Sequence, residues 1–306
     1  STTAEATPVF DGVLGIRGRN SVIFAPHPRS KKTTNLVVQK MREVLKLNGA
    51  PEDLLICIER PSKDLANELM RSSDLIFATG SKDMVQAAYS SGKPAYGVGV
   101  GNAVVVVDGT CDLADTAEKI RISKTNDNAT GCSAENSLVI QEGVYDAFTK
   151  ELVKQGGYIV DGKEKERLQS VLWVDGHINP EIVAKPVSRL AELAGIAIGE
   201  KTKFLIVEET GYGKDYPFSG EKLSLTLTVY KYGDFQEAID LVNNITDYSG
   251  AGHSCGIHST DEEHIMKLAL NTQTTKVIVR QPHRSANSGN WFNGLARTFS
   301  LGCGTW

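Results

Sequence analysis

A single cysteine within a run of small, polar residues is the first candidate for chemistry in this chain. Residues 125–137 read TNDNATGCSAENS, and Cys132 stands between a glycine and a serine. A helical pattern precedes this stretch, and an apolar run typical of a strand, residues 138–140, follows it. A cysteine on a tight turn between a helix and a strand can present its thiolate to nearby backbone N–H groups and act as a nucleophile. A buried, unreactive thiol fits these residues equally well.

The elements that must position this turn follow a βα alternation. Apolar runs with the length of buried strands alternate with amphipathic stretches of helical spacing; the runs are 21–25, 54–58, 75–78, 95–100 and 103–107. The first of the long helices is expected to end near Leu47, and Ser62 and Asp112 are expected to cap later ones. This alternation predicts an α/β fold built on a doubly wound parallel sheet, with a second α/β unit that begins near residue 103.

Two strand-to-helix turns of the first unit are candidates for binding a phosphate group. Sheets of this kind bind ligands where the carboxyl ends of their strands meet helix N-termini. The turn 26–32 (PHPRSKK) is basic, and the turn 77–81 (FATGS) has Gly80 and Ser81 at the start of a helix. A solvated loop and an ordinary helix cap are the simpler interpretations of these turns. The G-x-G-x-x-G motif of common dinucleotide-binding proteins does not follow the first strand.

Composition excludes several classes of function. The chain has 306 residues, of which 41% are hydrophobic and 23% charged, enough for two globular domains. A net charge of −4 argues against nucleic acid as a partner, and no apolar run is long enough to span a membrane. The first residues lack the pattern of a signal peptide. Five scattered cysteines without C-x-x-C spacing favour a reduced, cytoplasmic protein with no metal site.

A polar segment near the end of the chain, residues 280–294, is predicted to be a long loop with few apolar anchors. Long loops inside compact domains are often functional. This one contains Arg280, Arg284 and Asn287, and the guanidinium group is well shaped to bind an oxyanion. An exposed basic loop in an acidic protein is the competing interpretation.

Several stretches together make the chain similar to the aldehyde dehydrogenase superfamily, in its CoA-acylating branch. They follow one another in the family's order over nearly the whole chain; they are 18–32, 77–81, 87–102, 124–137 and 220–227, with NWFNG at 290–294 and LGCGTW at 301–306. The resemblance implies a Rossmann-like, parallel-sheet cofactor domain over residues 1–103 and an α/β catalytic domain over residues 104–306.

The resemblance also implies that Cys132 is the catalytic nucleophile. Its thiolate would attack an aldehyde, its backbone N–H would help to hold the oxyanion, and hydride transfer to NAD or NADP would leave a thioester. Hydrolytic members of the family have a water-activating glutamate where this chain has Gly97. Because water is a poor nucleophile without a general base, whereas a thiol can attack unaided, we expect CoA to accept the acyl group. A hydrolytic aldehyde dehydrogenase and a non-catalytic, nucleotide-binding family member are the alternatives.

Cofactor contacts are implied by the resemblance at Gly80 and Ser81, which would meet the pyrophosphate, and at Glu221, which would hold the nicotinamide ribose. A surface carboxylate is the simpler interpretation of Glu221. All three positions match motifs of the family, so we expect them to bind NAD or NADP.

The basic turn bears on the choice between the two nucleotides. His27 replaces the family's usual lysine, and Ser30 stands where NAD-preferring relatives often have a glutamate that would repel a 2′-phosphate. With Arg29 and Lys31 on either side of Ser30, NADP should be tolerated and is favoured.

The family's substrate loop corresponds to residues 280–294, so Arg280, Arg284 and Asn287 are the predicted substrate-binding residues. If Arg280 faces the pocket, the aldehyde is short and anionic. Sulfoacetaldehyde is the favoured substrate, with succinate semialdehyde as an alternative. Acetaldehyde, the third candidate, would have little use for these charges.

Two departures from the family pattern concern the ends of the chain. Family members have an asparagine near the start that completes the oxyanion hole, but residues 2–5 read TTAE. The family's segments before Ser1 and after Trp306, which include the oligomerisation arm, are expected to be absent. The resemblance nevertheless implies a homo-oligomer, either a dimer or a tetramer, because exposed sheet edges favour association.

Overall fold

The computed structural model describes residues 4–290 and 293–295, and the described chain forms two compact units. Residues up to Gly99 belong to the first unit, and the described residues from Val100 onward belong to the second. In both units, strands alternate with helices and the strands pair in parallel, apart from one short hairpin. The predicted α/β class with parallel sheets is therefore confirmed.

The first unit begins with helix α1 (Ala6–Arg17) and continues as a βα alternation. Its further elements are β1 (Val22–Phe24), α2 (Lys31–Leu47), β2 (Leu55–Cys57), α3 (Lys63–Ser72), β3 (Ile76–Thr79), α4 (Lys82–Tyr89) and β4 (Ala95–Val98). Strand β1 pairs in parallel with β2, and β3 pairs in parallel with β4. Helix α2 ends at Leu47, as predicted, and Ser62 caps α3 by accepting the N–H of Leu65.

The second unit is organised on one parallel sheet. Its elements are β5 (Ala103–Val107), α5 (Leu113–Thr125), β6 (Glu135–Gln141), α6 (Glu142–Lys154), β7 (Gly157–Ile159), α7 (Gly162–Leu172), β8 (Trp173–Val174), β9 (His177–Ile178), α8 (Val187–Ala194), β10 (Phe204–Glu208), β11 (Thr226–Tyr232), α9 (Phe235–Tyr248), β12 (Cys255–His258), α10 (Glu262–Asn271), β13 (Val277–Val279) and α11 (His283–Asn287). Over the described residues the strand order is β13-β12-β5-β6-β11-β10-β7, while β8 and β9 form a separate hairpin.

Alternate side chains of the central strands enter two different cores, because successive residues of a strand point to opposite faces. Val105 and Val107 of β5 pack with residues of α5 and α6, whereas Val104 and Val106 pack with residues of α9 and α10. Every residue of β5 is buried, as expected of a strand that is covered on both faces. The sheet is thus fixed between two helical layers, and so are the points where loops leave its edges.

The segment 280–294 differs from the prediction. Instead of a loop with few anchors, it contains α11, in which His283, Ala286 and Asn287 are buried. A five-residue helix offers too few turns for a periodic pattern. Its burial results from packing against distant parts of the chain.

Three observations on the described residues concern partners and redox state. No helix within residues 4–290 is long and apolar enough to cross a membrane. No group of three or more His, Cys, Asp or Glu side chains in the described chain could hold a metal ion. The cysteines at 57, 111, 132 and 255 are free, and Cys303 lies outside the described residues.

Candidate active site

Cys132 lies on a tight turn between α5 and β6, where the sequence predicts such a turn. The backbone reaches it through residues 127–129, which have φ values of 50°, 49° and 57°. Residues other than glycine rarely adopt this left-handed conformation, and such backbone strain is found mostly at functional sites. The Ala134 N–H then donates to the Gly131 carbonyl over 2.9 Å and closes the turn around the cysteine.

Gly101, which precedes β5, lies directly beside this turn. A Cβ added to Gly101 would lie 2.7 Å from the Cβ of Cys132 and 2.9 Å from the Cδ2 of His253. Only a residue without a side chain therefore lets both groups approach this point. The Gly101 N–H donates to Oε1 of Glu221 over 3.3 Å. A thiol, an imidazole and a carboxyl group are thus gathered around one glycine.

Arg284 reaches the same turn from α11. A Cβ added to Gly131 would overlap the Nε of Arg284, so the guanidinium stem packs on the backbone next to Cys132. This Nε is buried and has no hydrogen-bond partner among the described residues. The backbone N–H of Arg284 donates to Oγ of Ser123 over 2.7 Å, which ties α11 to α5. The structure places a cationic donor beside the candidate nucleophile.

Two fully buried lysines hold the backbone around the site. The Nζ of Lys124 donates to the Glu135 carbonyl over 2.8 Å, at the first residue of β6. The Nζ of Lys222 donates to the Gly220 carbonyl over 2.8 Å, and its backbone N–H donates to Oδ1 of Asn136 over 3.0 Å. The segment that carries Glu221 is therefore tied to the strand that follows the cysteine.

Burial keeps the thiol and the imidazole uncharged at neutral pH. The pKa of the Cys132 thiol is raised to about 11, mainly by burial and also by the charge of Glu221, against the opposite effect of Arg284. Burial, with a contribution from Lys276, lowers the pKa of His253 to about 4. Burial also raises the pKa of Glu221 to about 8. In the free protein, a protonated thiol therefore faces an unprotonated imidazole.

The alkylation of Cys132 by iodoacetamide should become about tenfold faster per pH unit between pH 7 and pH 10 in the free protein. The thiolate is the reactive form, and a thiol with a pKa of about 11 is only slightly ionised in this range. Peptide mass spectrometry measures the rate at this one cysteine. Glu221→Gln removes a charge that raises the pKa and should shift the profile to lower pH. A plateau at pH 8 would contradict the burial of the thiol.

His253 was not predicted from the sequence. It is buried directly before β12, and its Nδ1 lies 2.7 Å from Oγ of Ser254. Its Nε2 has no hydrogen-bond partner within the described part of the chain. One feature of the sequence could have indicated His253 as a site residue. Like Cys132, it stands between a glycine and a serine shortly before a buried strand. Only the strand order β12-β5-β6 shows that the two residues meet.

The predicted cofactor-binding residues lie in both units. Those in the first unit occupy the turns from β1 to α2 and from β3 to α4; they are His27, Arg29, Ser30, Lys31, Gly80 and Ser81. The Oγ of Ser81 caps α4, whereas the Oγ of Ser30 does not cap α2 and instead donates to the His27 carbonyl over 3.1 Å. Both turns follow the carboxyl ends of parallel strands, as predicted. Glu221 belongs to the second unit, beside Cys132.

The predicted substrate-binding residues on α11 face different groups. Arg284 contacts the cysteine turn. Asn287 is fully buried, and its Nδ2 donates to Oγ of Ser254 over 3.2 Å, so it contacts the neighbour of His253. Both residues belong to the surroundings of the site, one beside the thiol and one behind the imidazole.

Arg280 lies elsewhere. It follows β13 at the carboxyl edge of the sheet, whereas Cys132 precedes β6 at the amino edge. Its guanidinium is 3.8 Å from a carboxylate oxygen of Glu262 and donates to the Ser259 carbonyl over 3.4 Å. The structure does not bring Arg280 to the cysteine, because β13 carries the chain to the other end of the sheet.

Gly97, where the resemblance places the hydrolytic glutamate, has no room for a side chain. It is buried in β4, and an added Cβ would lie 2.5 Å from Cγ1 of Val85 and 2.8 Å from Cε2 of Tyr89. A glutamate at this position would have to displace the side chains of Val85 and Tyr89 on α4. The stretch 2–5 and the matching segments 290–294 and 301–306 fall partly or wholly outside the described residues.

The site residues of the second unit stand at the amino ends of four neighbouring strands. Gly101 precedes β5, Cys132 precedes β6, Glu221 precedes β11 and His253 precedes β12, and these strands are adjacent in the sheet. Adjacent strands are about 4.8 Å apart, so the sheet holds these groups within reach of one small ligand. Fold and site together define an α/β protein with a cysteine and a histidine at the amino edge of a buried parallel sheet.

The chain belongs to the aldehyde dehydrogenase family, whose sequence profile matches residues 14–207. It is 45% identical over 311 residues to an acylating sulfoacetaldehyde dehydrogenase from Bilophila wadsworthia, an alignment that covers 100% of this chain and 67% of that protein. The chain spans only 63% to 67% of the length of three curated sulfoacetaldehyde dehydrogenases, two of which are named acylating. The resemblance to acylating members of the family is confirmed.

Solved structures agree with this assignment. An acetylating aldehyde dehydrogenase from Geobacillus thermoglucosidasius superimposes with a TM-score of 0.96 at 37% identity, over 99% of this chain and 68% of that one. A propionaldehyde dehydrogenase from Rhodopseudomonas palustris, solved with bound CoA and an acylated cysteine, has a TM-score of 0.90 at 28% identity, over 99% and 69% of the two chains.

Proposed function

We propose that this protein is a CoA-acylating aldehyde dehydrogenase that oxidises a short, anionic aldehyde through a thioester on Cys132. The observation that carries the proposal is the meeting of Cys132 and His253 across Gly101, where a Cβ would touch both residues. The names of the acylating relatives and the acylated cysteine of the R. palustris enzyme support it.

In the first half-reaction, the Cys132 sulfur forms a bond to the aldehyde carbon and its proton passes to Nε2 of His253. The backbone N–H of Cys132 stabilises the oxyanion of the resulting thiohemiacetal. As the oxyanion collapses, the C–H bond breaks, two electrons leave as hydride, and a thioester remains on Cys132. Bound NAD or NADP supplies the hydride acceptor.

In the second half-reaction, the thiol of CoA adds to the thioester and Cys132 leaves. Once Nε2 of His253 has released the proton of the first half-reaction to solvent, it can accept the proton of the incoming thiol and return it to the leaving sulfur. This nitrogen has no hydrogen-bond partner among the described residues. Gly97 provides no carboxylate for activating water and has no room for one. CoA is therefore the favoured acceptor of the acyl group.

The turns of the first unit fit a nucleotide. Gly80 and Ser81 are exposed at the N-terminus of α4, and an added Cβ at Gly80 would meet only Met84, at 3.5 Å, so the backbone N–H groups are open to a pyrophosphate. At the other turn Ser30 adds no negative charge. Arg29 and Lys31 flank it and favour NADP over NAD. Glu221 is the proposed contact to the nicotinamide ribose.

Sulfoacetaldehyde is the proposed aldehyde because Arg284 lies beside Cys132 and its buried Nε–H has no hydrogen-bond partner in the described part of the chain. A guanidinium binds a sulfonate or a carboxylate well, so succinate semialdehyde is the alternative and acetaldehyde would leave the cation unpaired. Arg280 lies at the opposite edge of the sheet and is therefore not a proposed substrate contact. The expected dimer or tetramer and the cytoplasmic location stay predictions.

Arg284→Met should lower kcat/KM for sulfoacetaldehyde by about 10- to 100-fold, the worth of one charge-assisted hydrogen bond, and should change kcat/KM for acetaldehyde much less. Parallel steady-state assays with the two aldehydes measure the difference. Arg280→Met is the matched control, because it removes the same side chain from the other edge of the sheet. Equal losses for both aldehydes in the Arg284 variant would exclude Arg284 from substrate recognition.

Nicotinamide reduction with sulfoacetaldehyde, with and without CoA and with NADP and NAD in parallel, tests the function. We expect sustained turnover only with CoA, a burst limited to one equivalent per site without it, faster turnover with NADP, and no turnover in Cys132→Ala. Equal turnover without CoA would mean that water resolves the thioester. Nucleotide binding without turnover on any of the three aldehydes would indicate a non-catalytic family member.

A further inference from the structure

We propose that Ser254 and His283 form a buried hydrogen-bond relay that fixes the tautomer of His253, so that its Nε2 faces Cys132 as a bare acceptor. Both are positioning residues that act through His253. The role in catalysis rests on the proposed function, whereas the tautomer itself can be measured without turnover.

The relay is continuous and almost completely buried. Nδ1 of His253 lies 2.7 Å from Oγ of Ser254, and the same Oγ lies 2.9 Å from Nε2 of His283. The exposed fractions of the three residues are 1%, 2% and 1%. With water excluded, Nδ1 of His253, Oγ of Ser254 and Nε2 of His283 must satisfy one another. Nε2 of His253 and Nδ1 of His283 have no hydrogen-bond partner among the described residues.

Asn287 restricts the possible proton positions. Its Nδ2 donates to Oγ of Ser254 over 3.2 Å, and an amide nitrogen can only donate. A hydroxyl group has one proton and two lone pairs. After Asn287 has filled one lone pair, Ser254 has one acceptor site and one proton left for the two imidazoles. One histidine must therefore donate to Ser254, and the other must accept from it.

Two arrangements satisfy this rule, and they give His253 opposite properties. If Nδ1–H of His253 donates to Ser254 and Ser254 donates to His283, then Nε2 of His253 has no proton and can act as a base. In the reverse arrangement Nε2 carries the proton and cannot accept another. In the first arrangement, Nε2 can gain a proton while Nδ1–H continues to donate to Ser254. We propose this arrangement because it lets His253 act as a base without breaking the relay.

Anchors of α11 connect the relay to the cysteine turn. The N–H of His283 donates to a carboxyl oxygen of Glu135 over 3.4 Å, at the first residue of the strand that follows Cys132. The carbonyl of Asn287 accepts a hydrogen bond from Nζ of Lys276 over 2.9 Å. The helix that holds His283 and Asn287 is therefore fixed at both ends relative to the site, which sets the direction of the His253 ring.

Two pairs of variants separate the relay from simple packing. Ser254→Ala and His283→Leu remove the hydroxyl and the acceptor. Ser254→Thr keeps the hydroxyl, and His283→Gln can place an amide oxygen near the position of Nε2. Ser285→Ala, on the exposed side of α11, controls for disturbance of the helix. In the wild-type protein labelled with ¹⁵N-histidine, the nitrogen shifts should show a proton on Nδ1 and none on Nε2 of His253, assigned by comparison with His253→Ala.

We expect Ser254→Ala and His283→Leu to populate the other tautomer of His253. They should lower kcat by about 10- to 100-fold, the range found when the partner that orients a metal-bound histidine is removed. The KM for CoA should change little. Ser254→Thr and His283→Gln should recover most of the loss. A wild-type protein with its proton on Nε2, or both deletion variants with the wild-type tautomer and rate, would overturn the relay. If the wild type shows no turnover, the proposed function fails, and the nitrogen shifts still decide the relay.

Discussion

His253→Ala should lower kcat/KM of the CoA-dependent reaction by about 10²- to 10⁴-fold, the usual contribution of general acid–base catalysis. The buried imidazole is uncharged and meets Cys132 across Gly101, and its Nε2 has no hydrogen-bond partner within residues 4–290 and 293–295. Glu221, the other proton acceptor beside Gly101, uses its Oε1 to accept the Gly101 N–H. Steady-state assays give the overall loss, and rapid mixing of enzyme, aldehyde and nucleotide separates the formation of the thioester from its transfer.

The control for this variant is His177→Ala, which removes an exposed histidine from the β9 strand of the same unit. It should leave both phases unchanged. A His253→Ala protein that retains the wild-type burst and the wild-type transfer rate would show that the imidazole is a structural neighbour of the cysteine. In that case CoA must lose its proton to solvent before it attacks.

Gly101→Ala should lower kcat/KM by about 10²-fold, because a displacement of about 1 Å at reacting groups has this effect. The added methyl carbon would lie 2.6 Å from the Cys132 carbonyl oxygen, 2.7 Å from its Cβ and 2.9 Å from Cδ2 of His253. Contacts this short force the thiol and the imidazole apart. Alanine keeps the N–H that donates to Glu221, so the variant tests spacing alone. Kinetics and thermal unfolding should be measured together.

Gly143→Ala is the matched control for this substitution. An added Cβ at Gly143 meets nothing within 4 Å, and alanine in a helix is favourable relative to glycine. We expect unchanged kinetics and equal or slightly higher stability. If Gly101→Ala were as active as Gly143→Ala, the cysteine turn would have to be free to move, contrary to the hydrogen bonds that close it.

Local sequence patterns were sufficient for the parts of the fold that depend on local rules. The run of valines in β5 predicts a strand buried on both faces, and the amphipathic stretch that ends at Leu47 predicts α2. The turn of Cys132 was predicted because a helical pattern, small polar residues and an apolar run follow one another. Whether that thiol is reactive or buried is left open by the sequence, and the structure shows a partly buried thiol next to His253 and Arg284.

Long-range packing determines which side chains meet at the candidate site, and no local sequence pattern reveals this packing. His253 and Cys132 are far apart in the chain, and only the position of β12 next to β5 brings them together. Arg280 and Arg284 are four residues apart and belonged to one predicted loop, yet they lie at opposite edges of the sheet, because the chain returns through α11. The rule that ligands bind at the carboxyl edge of a parallel sheet led to the candidate turns of the first unit, whereas the candidate site of the second unit lies at the amino edge.

The strand order also determines when the site can form in a newly made chain. Synthesis proceeds at about 5–20 residues per second, so Cys132 emerges roughly 6–24 s before His253 at that rate. Strand β12 must then insert beside β5, on the side away from β6. A nascent or prematurely ended chain therefore holds Cys132 without His253. The candidate site is assembled only after β12 has joined the sheet.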